Sequence, residues 1–154
     1  MSIKQISVFV ENRPGHLQRI LALFTEKGIN VRGYSCSDTG DYGIARFIVD
    51  KPEKALSVLA ERDVAATSSD VVCLVLKDEP GELERVFGLM AESGVNISYS
   101  YSLISTYIAF KVNDPSKAEE YLSEQGISLI NQDDLAEESV MCHDSTKRHF
   151  SVPT

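Results

Sequence analysis

Tryptophan is absent from the 154 residues, and cysteine is scarce, occurring only as Cys36, Cys73 and Cys142. No two of these cysteines have CxxC spacing, so the sequence contains neither a disulfide framework nor a typical zinc-binding pattern. An odd number of cysteines without a secretory leader predicts free thiols in a reducing compartment. The chain also lacks an apolar run long enough to span a bilayer, and its start, "MSIKQISVFV", lacks the features of a signal peptide. We therefore expect a cytoplasmic protein with no membrane partner.

Basic residues are also scarce relative to acidic residues. The chain has 15 Lys and Arg against 23 Asp and Glu, for a formal net charge of −8. A negative protein is repelled by phosphate backbones, so no nucleic-acid partner is expected. The 43% hydrophobic and 25% charged residues are typical of a soluble globular protein.

One pattern is written twice along the chain. "ENRPGHL" at Glu11–Leu17 matches "KDEPGEL" at Lys77–Leu83, "EKGINV" matches "ESGVNI", and "VDKPEKA" matches "VNDPSKA". The second copy is shorter in one turn, which is where duplicated structures tolerate deletions. The repeat predicts two domains, at residues 1–69 and 70–134, followed by a polar tail at 135–154.

Each copy has the pattern strand, helix, strand, strand, helix, strand. The first helix carries an i, i+3, i+4, i+7 apolar stripe, and prolines open the second helices. The stripe residues are Leu17, Ile20, Leu21 and Phe24 in the first copy, and Leu83, Val86, Phe87 and Met90 in the second. The strands are expected near 4–10, 30–37, 44–49 and 64–67, and near 96–104, 107–112 and 127–130 in the second copy. This order predicts an α+β fold of two ferredoxin-like βαββαβ units, with antiparallel four-stranded sheets and helices on one face.

The sheet faces away from the helices are unusually apolar. The residues expected there are Phe9, Ile44 and Ile48 in the first unit, and Val71, Val75 and Tyr107 in the second. A face of this kind is normally covered. We expect the units to pack together and the chain to form a homodimer, with a second chain covering Phe9, Ile44 and Ile48.

The repeated corner between strand and helix is a candidate binding site. A helix N-terminus offers free N–H groups and partial positive charge, which suit a carboxylate or phosphate. Pro14 sets the entry angle, Gly15 permits close approach to the backbone, and Asn12 offers a donor and an acceptor. Asn30 begins the adjacent strand and is expected close to Asn12. Two carboxamides and free N–H groups would hold an amino acid, although a plain turn explains the same residues.

These residues resemble a known family. The NRPG corner, the amphipathic stripe and the G-[IV]-N-[IV] segment resemble the ACT domain, and the whole chain resembles stand-alone bacterial proteins of two ACT units. The resemblance implies a non-catalytic regulator that binds a free amino acid at a module interface and needs no cofactor. In the serine-sensing ACT module, two asparagines that match Asn12 and Asn30 hold the ligand. That module has a histidine where this chain has Val10, which argues against serine.

The second corner differs from the first, because Asp78 replaces the asparagine while Asn96 retains it. Tyr99 and Tyr101 share a strand face and would either line a ligand or pack in an interface. The corner chemistry, the resemblance and the tyrosine face together predict ligand contacts at Asn12, Arg13, Pro14, Gly15, His16, Leu17, Asn30 and Val31 in the first unit, and at Asp78, Gly81, Glu82, Leu83, Asn96, Ile97 and Tyr99 in the second.

Two alternatives and one further feature remain. Acylphosphatases share the split βαβ fold, and Arg13 with Asn30 would supply their phosphate-holding pair, but the copy of Arg13 is Glu79. A pure interaction module that binds no ligand is the other alternative. Cys142, His143 and His149 in the tail are too few for a zinc site, so no metal is expected.

Overall fold

The computed structural model describes residues 2–38 and 40–136, which form strands and helices in the predicted order. The first unit contains β1 (Ile3–Glu11), α1 (His16–Glu26), β2 (Val31–Asp38), β3 (Tyr42–Val49) and α2 (Pro52–Glu61). The long strand β4 (Ala66–Val75) follows. The second unit continues with α3 (Glu82–Glu92), β5 (Ile97–Ser102), β6 (Tyr107–Val112), α4 (Pro115–Glu124) and β7 (Leu129–Ile130), and a helical turn at 132–136 ends the described chain.

The helices form where the apolar stripes predicted them and cover one face of each sheet. In α1, Ile20 and Phe24 are buried, while Leu17 and Leu21 are half-buried against the same core. The ring of Phe24 meets that of Phe47 edge-on at 5.3 Å between centroids. The second unit repeats this layer around the following buried side chains: Val72, Leu74, Val86, Met90, Phe110 and Leu122. The α+β fold of two βαβ-type units is thus confirmed.

The fourth strand departs from the prediction. Instead of a short strand near 64–67 that is separate from the next unit, β4 runs without a break from Ala66 to Val75. Its first part pairs with β1 and its last part pairs with β6, giving the strand order β2-β3-β1-β4-β6-β5 with β7 also on β4. No glycine or proline interrupts residues 64–75, so the backbone has no local reason to turn. The predicted boundary between residues 69 and 70 therefore lies inside a shared strand.

The two sheets pack their helix-free faces together. A third core cluster lies between them, formed by Ile3, Ile48, Val71, Cys73, Leu103, Ala109, Ile130 and Leu135. The expected cover is confirmed in part, and the other unit supplies it, because Ile48 and Val71 are buried while Phe9 is 53% exposed. Ile48 is 0% exposed within the single chain, so the prediction that a second chain covers Ile48 is wrong.

The outer edges of the two sheets also meet. Gly33 of β2 forms a bridge with Leu103, just beyond β5, and the N–H of Ile104 donates to the carbonyl of Arg32 at 2.9 Å. The starting end of β2 is therefore occupied by the second unit. At the opposite end of β2, Cys36, Ser37 and Asp38 are exposed.

Two remaining predictions concern the membrane and the tail. None of the helices within residues 2–38 and 40–136 is long and apolar enough to cross a membrane. Leu135, which the sequence placed in the polar tail, is fully buried in the third cluster. Cys142, His143 and His149 lie outside the described residues.

Candidate functional site

The first strand-to-helix corner is built on a left-handed glycine. Gly15 has a φ of 82°, which favours glycine over residues with a Cβ, and α1 begins at the next residue. Among the described residues, no side chain forms a capping hydrogen bond at this end of α1. The first-turn N–H groups and their partial positive charge therefore face the corner.

His16 faces the strand. Its Nδ1 accepts a 3.0 Å hydrogen bond from the N–H of Glu11. The Nδ1 atom carries no proton in this arrangement, and the ring braces β1 against α1. The carboxylate of Glu11 also pairs with the guanidinium of Arg13, which leaves this rim of the corner close to neutral.

Asn12 joins the corner to the β2–β3 turn. Its Nδ2 donates to Oδ2 of Asp38 at 3.3 Å and to the carbonyl of Gly40 at 3.1 Å. Its backbone N–H donates to the carbonyl of Asp41 at 3.0 Å. Asn12 thus holds the end of β1 against the end of β2 and places a carboxylate, that of Asp38, beside the helix N-terminus.

A small pocket opens beside this junction. Its volume is about 170 Å³, and it is lined by Val10, Glu11, Asn12, Arg13, Leu17, Cys36, Ser37, Asp38 and Gly43. Apolar groups form its interior, while charged and carboxamide groups form its rim. The predicted site residues did not include the four on β2 and β3, which are Cys36, Ser37, Asp38 and Gly43. The parallel course of β1 and β2 on either side of β3 was the signal that would have found them.

Asn30 lies at the opposite end of the sheet. β3 runs antiparallel to both neighbours, from Tyr42 beside Glu11 to Val49 beside Val31. At about 3.3 Å per residue, the length of β3 separates Asn30 from Asn12 by more than about 20 Å. The expectation that these asparagines lie close together is wrong, because the end of one parallel strand cannot meet the start of the other.

The surroundings of Asn30 are those of a strand junction. The N–H of Asn30 donates to Oδ1 of Asp50 at 2.9 Å, and the N–H of Asp50 donates to the carbonyl of Asn30 at 3.1 Å. Asn96 makes the same pair with Asn113, at 2.9 and 3.2 Å. The repeated asparagines therefore join strands at a distance from both corners.

The second corner has the same backbone but different chemistry. Gly81 has a φ of 85°, and α3 begins at Glu82, whose carboxylate accepts from Arg85 at 2.6 and 3.0 Å. This hydrogen bond with Arg85 lowers the pKa of Glu82. Leu83 is 45% exposed. A recess of about 280 Å³ beside Asp78 is lined by Leu76, Lys77, Asp78, Ser102, Ser105, Thr106 and Tyr107, a more polar set than at the first corner.

Tyr99 lies between the two sheets, away from both corners. Its hydroxyl accepts a 2.7 Å hydrogen bond from Nε2 of the buried Gln5, and the guanidinium of Arg46 lies 4.1 Å from its ring centroid. Tyr101 stacks on it at 6.4 Å and donates to Oε1 of Gln5 at 2.7 Å. Burial raises the pKa of Tyr101 well above its ordinary value. Tyr99 and Tyr101 were expected either to line a ligand or to pack in an interface, and the geometry matches packing between the two sheets.

The geometry does not assemble the catalytic alternative. Arg13 pairs with Glu11, and Asn30 lies at the far end of β3, so the two groups that would hold an acyl phosphate are far apart. Within residues 2–38 and 40–136, no group of three or more His, Cys, Asp or Glu side chains is arranged to hold a metal.

Two βαβ-type units joined through one shared strand define a class of tandem ferredoxin-like proteins. A family model described as an ACT domain pair matches residues 1–139. The chain therefore belongs to the ACT domain pair family, which confirms the resemblance based on its corners.

Individual relatives agree with this assignment. A probable acetolactate synthase small subunit from Methanothermobacter thermautotrophicus is 34% identical over 95 residues, which are 52% of this chain and 56% of that protein. The chain thus spans little more than half of that relative's length. A crystal structure of a protein from Bacteroides thetaiotaomicron is 31% identical, with a TM-score of 0.84 over 89% of this chain and 97% of the other. The ligand-free regulatory subunit of aspartate kinase from Thermus thermophilus shares the fold, with a TM-score of 0.60 at 23% identity over 78% of this chain and 88% of that one.

Proposed function

We propose that this protein is a non-catalytic cytoplasmic regulator that binds a free amino acid at its first corner, without a cofactor. The observation that carries the proposal is the uncapped N-terminus of α1, which opens beside a pocket whose rim holds both carboxamide and carboxylate groups. Such a set suits a zwitterion, because one end attracts negative charge and the other attracts positive charge.

The two ends of an amino acid would be held by different groups. The ligand carboxylate would accept from first-turn N–H groups of α1, where the positive pole of the helix favours an anion. The ligand ammonium would donate to the carboxylate of Asp38, which Asn12 holds at the pocket rim through a 3.3 Å hydrogen bond. Asn12 would therefore act on the ligand and on the position of Asp38.

A regulatory role is supported by the kind of proteins that the chain is similar to. One relative is named as the small subunit of a synthase, and one structural neighbour as the regulatory subunit of a kinase. We propose that ligand binding changes how the shared β4 and the packed sheet faces hold the two units together. A partner protein would then recognise the changed arrangement of the two units.

A homodimer is the second part of the proposal. Phe9 is 53% exposed and Tyr42 is 60% exposed, on the part of the first sheet that the second unit does not cover. Phe9 pairs with Ile44 across β1 and β3, and Tyr42 lies beside Glu11 on the same face. Ile48 is buried and lies outside this surface. Phe9, Tyr42 and Ile44 form an apolar patch that a second copy would bury.

The test is a thermal-shift screen of the full chain against the free amino acids. A ligand at one hundred times its dissociation constant should stabilise the protein by about 2.7 kcal/mol. A shift with one chemical group of amino acids, lost in Asn12→Ala, would support the proposal. If no amino acid shifts the melting temperature, the ligand-free interaction module becomes the better explanation.

A further inference from the structure

Gly43 distinguishes the two corners. In β3 it pairs with Val10 on one side and with Asp38 on the other, so it lies at the floor of the first pocket. Unlike Gly15, Gly43 does not have a positive φ. The backbone therefore does not require glycine at this position, and the reason for glycine is space.

A side chain at Gly43 would enter that space directly. An ideal Cβ would lie 2.9 Å from the carbonyl oxygen of Ser37 and 3.4 Å from Cγ2 of Val10. Both of these residues line the pocket. The volume exists because β3 contributes no side chain between its two neighbours, and even one methyl group would narrow it.

The second unit has a side chain at the corresponding place. Thr106 precedes Tyr107 as Gly43 precedes Ile44, and the β5–β6 hairpin repeats the β2–β3 pairing in the same register. The N–H of Leu76, the counterpart of Val10, donates to the carbonyl of Thr106 at 2.7 Å. Thr106 is exposed and lines the second recess, so a polar side chain is present where the first pocket has only the backbone of Gly43.

Charge separates the corners in the same direction. Around the second helix start, the acidic residues are Asp78, Glu79, Glu82 and Glu84. Glu82 is paired with Arg85, but the other three carboxylates disfavour the anionic end of an amino acid, even though α3 presents the same helix pole. At the first corner, Glu11 is neutralised by Arg13, and the first turn of α1 contains no acidic residue.

The interior of the first pocket indicates which side chain would enter it. Val10 is almost completely buried, Leu17 is half-buried, and the thiol of Cys36 completes the wall. These groups offer no charge and little hydrogen bonding to a ligand side chain, so a charged side chain would lose its hydration without compensation. A volume of about 170 Å³ also restricts the size of the ligand.

From this difference we infer that each chain binds one amino acid, at the first corner only, and that the ligand has a short aliphatic side chain seated over Gly43. This inference rests on the proposed amino-acid binding and adds its stoichiometry and ligand class. Thr106 and the acidic helix start make the second recess polar and acidic, so it is a poorer site for an aliphatic amino acid than the first pocket.

Titration calorimetry on the full chain tests the inference, with alanine, valine, leucine and isoleucine compared against aspartate, lysine and phenylalanine. We expect one site per chain and preference for an aliphatic ligand. Gly43→Ala should weaken binding by at least about tenfold, because it overpacks the pocket. Thr106→Gly is the matched control and should leave the affinity of the first site unchanged. If Gly43→Ala does not fold, Cys36→Phe fills the same pocket from the exposed end of β2, without a new contact inside β3.

The outcomes distinguish failure of the proposed amino-acid binding from failure of the single aliphatic site. If no amino acid binds the wild-type chain, both the proposed function and this inference fail. Binding with two equal sites per chain, a preference for charged ligands, or unchanged affinity in folded Gly43→Ala and Cys36→Phe variants would overturn the inference alone. One aliphatic ligand per chain, weakened by both variants and not by Thr106→Gly, would establish it.

Discussion

The hydroxyl of Tyr99 accepts a 2.7 Å hydrogen bond from Nε2 of Gln5, which joins β1 of the first unit to β5 of the second. Gln5 is completely buried, and its Oε1 accepts a second 2.7 Å hydrogen bond from Tyr101. A single carboxamide thus satisfies two tyrosines of the second unit. This polar contact lies beside the apolar cluster between the sheets and fixes how the two faces are aligned.

The first prediction follows from that contact. Tyr101→Phe should destabilise the chain by about 1–3 kcal/mol, because it leaves the buried Oε1 of Gln5 without its donor. Urea unfolding should show a lower midpoint at an unchanged m value. Tyr34→Phe is the control, since Tyr34 is more than half exposed on β2 and should lose little. An unchanged midpoint for Tyr101→Phe would show that water replaces the hydroxyl and that the contact does not align the units.

The second prediction concerns alkaline pH. Burial raises the pKa of the Cys73 thiol from 9.0 to about 12. The unfolded chain then releases this proton at a lower pH than the folded chain does. Below pH 9 the thiol is protonated in both states and does not reduce the free energy of unfolding. As the pH rises from about 9 to 12, ionisation of the thiol in the unfolded chain lowers that free energy. Tyr101 acts in the same direction at somewhat higher pH, because its pKa is also raised.

Cys73→Val provides the measurement. The free energy of unfolding, measured in urea at pH 8 and pH 10, should fall less steeply for Cys73→Val than for the wild-type chain, because the variant has no thiol to ionise. The exposed Cys36 offers a control, and Cys36→Val should keep the wild-type slope. Parallel slopes for Cys73→Val and the wild type would mean that the thiol does not contribute to the alkaline loss of stability.

The third prediction separates the two asparagines. Asn12→Ala removes the hydrogen bonds to Asp38 and Gly40 and should weaken amino-acid binding by about 1–3 kcal/mol. Asn30→Ala should leave the affinity within about twofold, since Asn30 lies at the far end of β3. Calorimetry on both variants decides the matter. A large loss of affinity in Asn30→Ala would bring that end of the sheet back into the ligand site, through a second chain or a movement of β2.

Much of this arrangement was accessible from the sequence, for a physical reason. The apolar stripe of α1 and the proline that opens α2 are local signals, because spacing along the chain sets which face is buried. The internal repeat supported each predicted helix and strand, because the same pattern occurs at the corresponding position of both copies. The corner at Gly15 was equally local, since a left-handed residue between strand and helix favours glycine.

The errors came from relations between distant segments. Joining residues 66–71 and 72–75 into one strand depends on pairing partners on both sides, which no local pattern encodes. The distance between Asn12 and Asn30 depends on β1 and β2 being parallel across β3. Gly43 was missed because its importance lies in the absence of a side chain opposite Val10, and this becomes visible only when the register is known.

The last prediction concerns assembly. Phe9, Tyr42 and Ile44 form the part of the first sheet face that the second unit leaves uncovered, and Phe9 is 53% exposed. Burying a side chain of this size in a dimer contributes about 1.5–3 kcal/mol before association costs. Phe9→Lys should therefore shift the chain from dimer to monomer at micromolar concentration, as measured by light scattering. Tyr34→Lys introduces the same charge on the helix-covered side of the sheet and should leave the dimer intact. A wild-type mass of 17.0 kDa would exclude the dimer, and dissociation by Tyr34→Lys instead of Phe9→Lys would place the interface along β2.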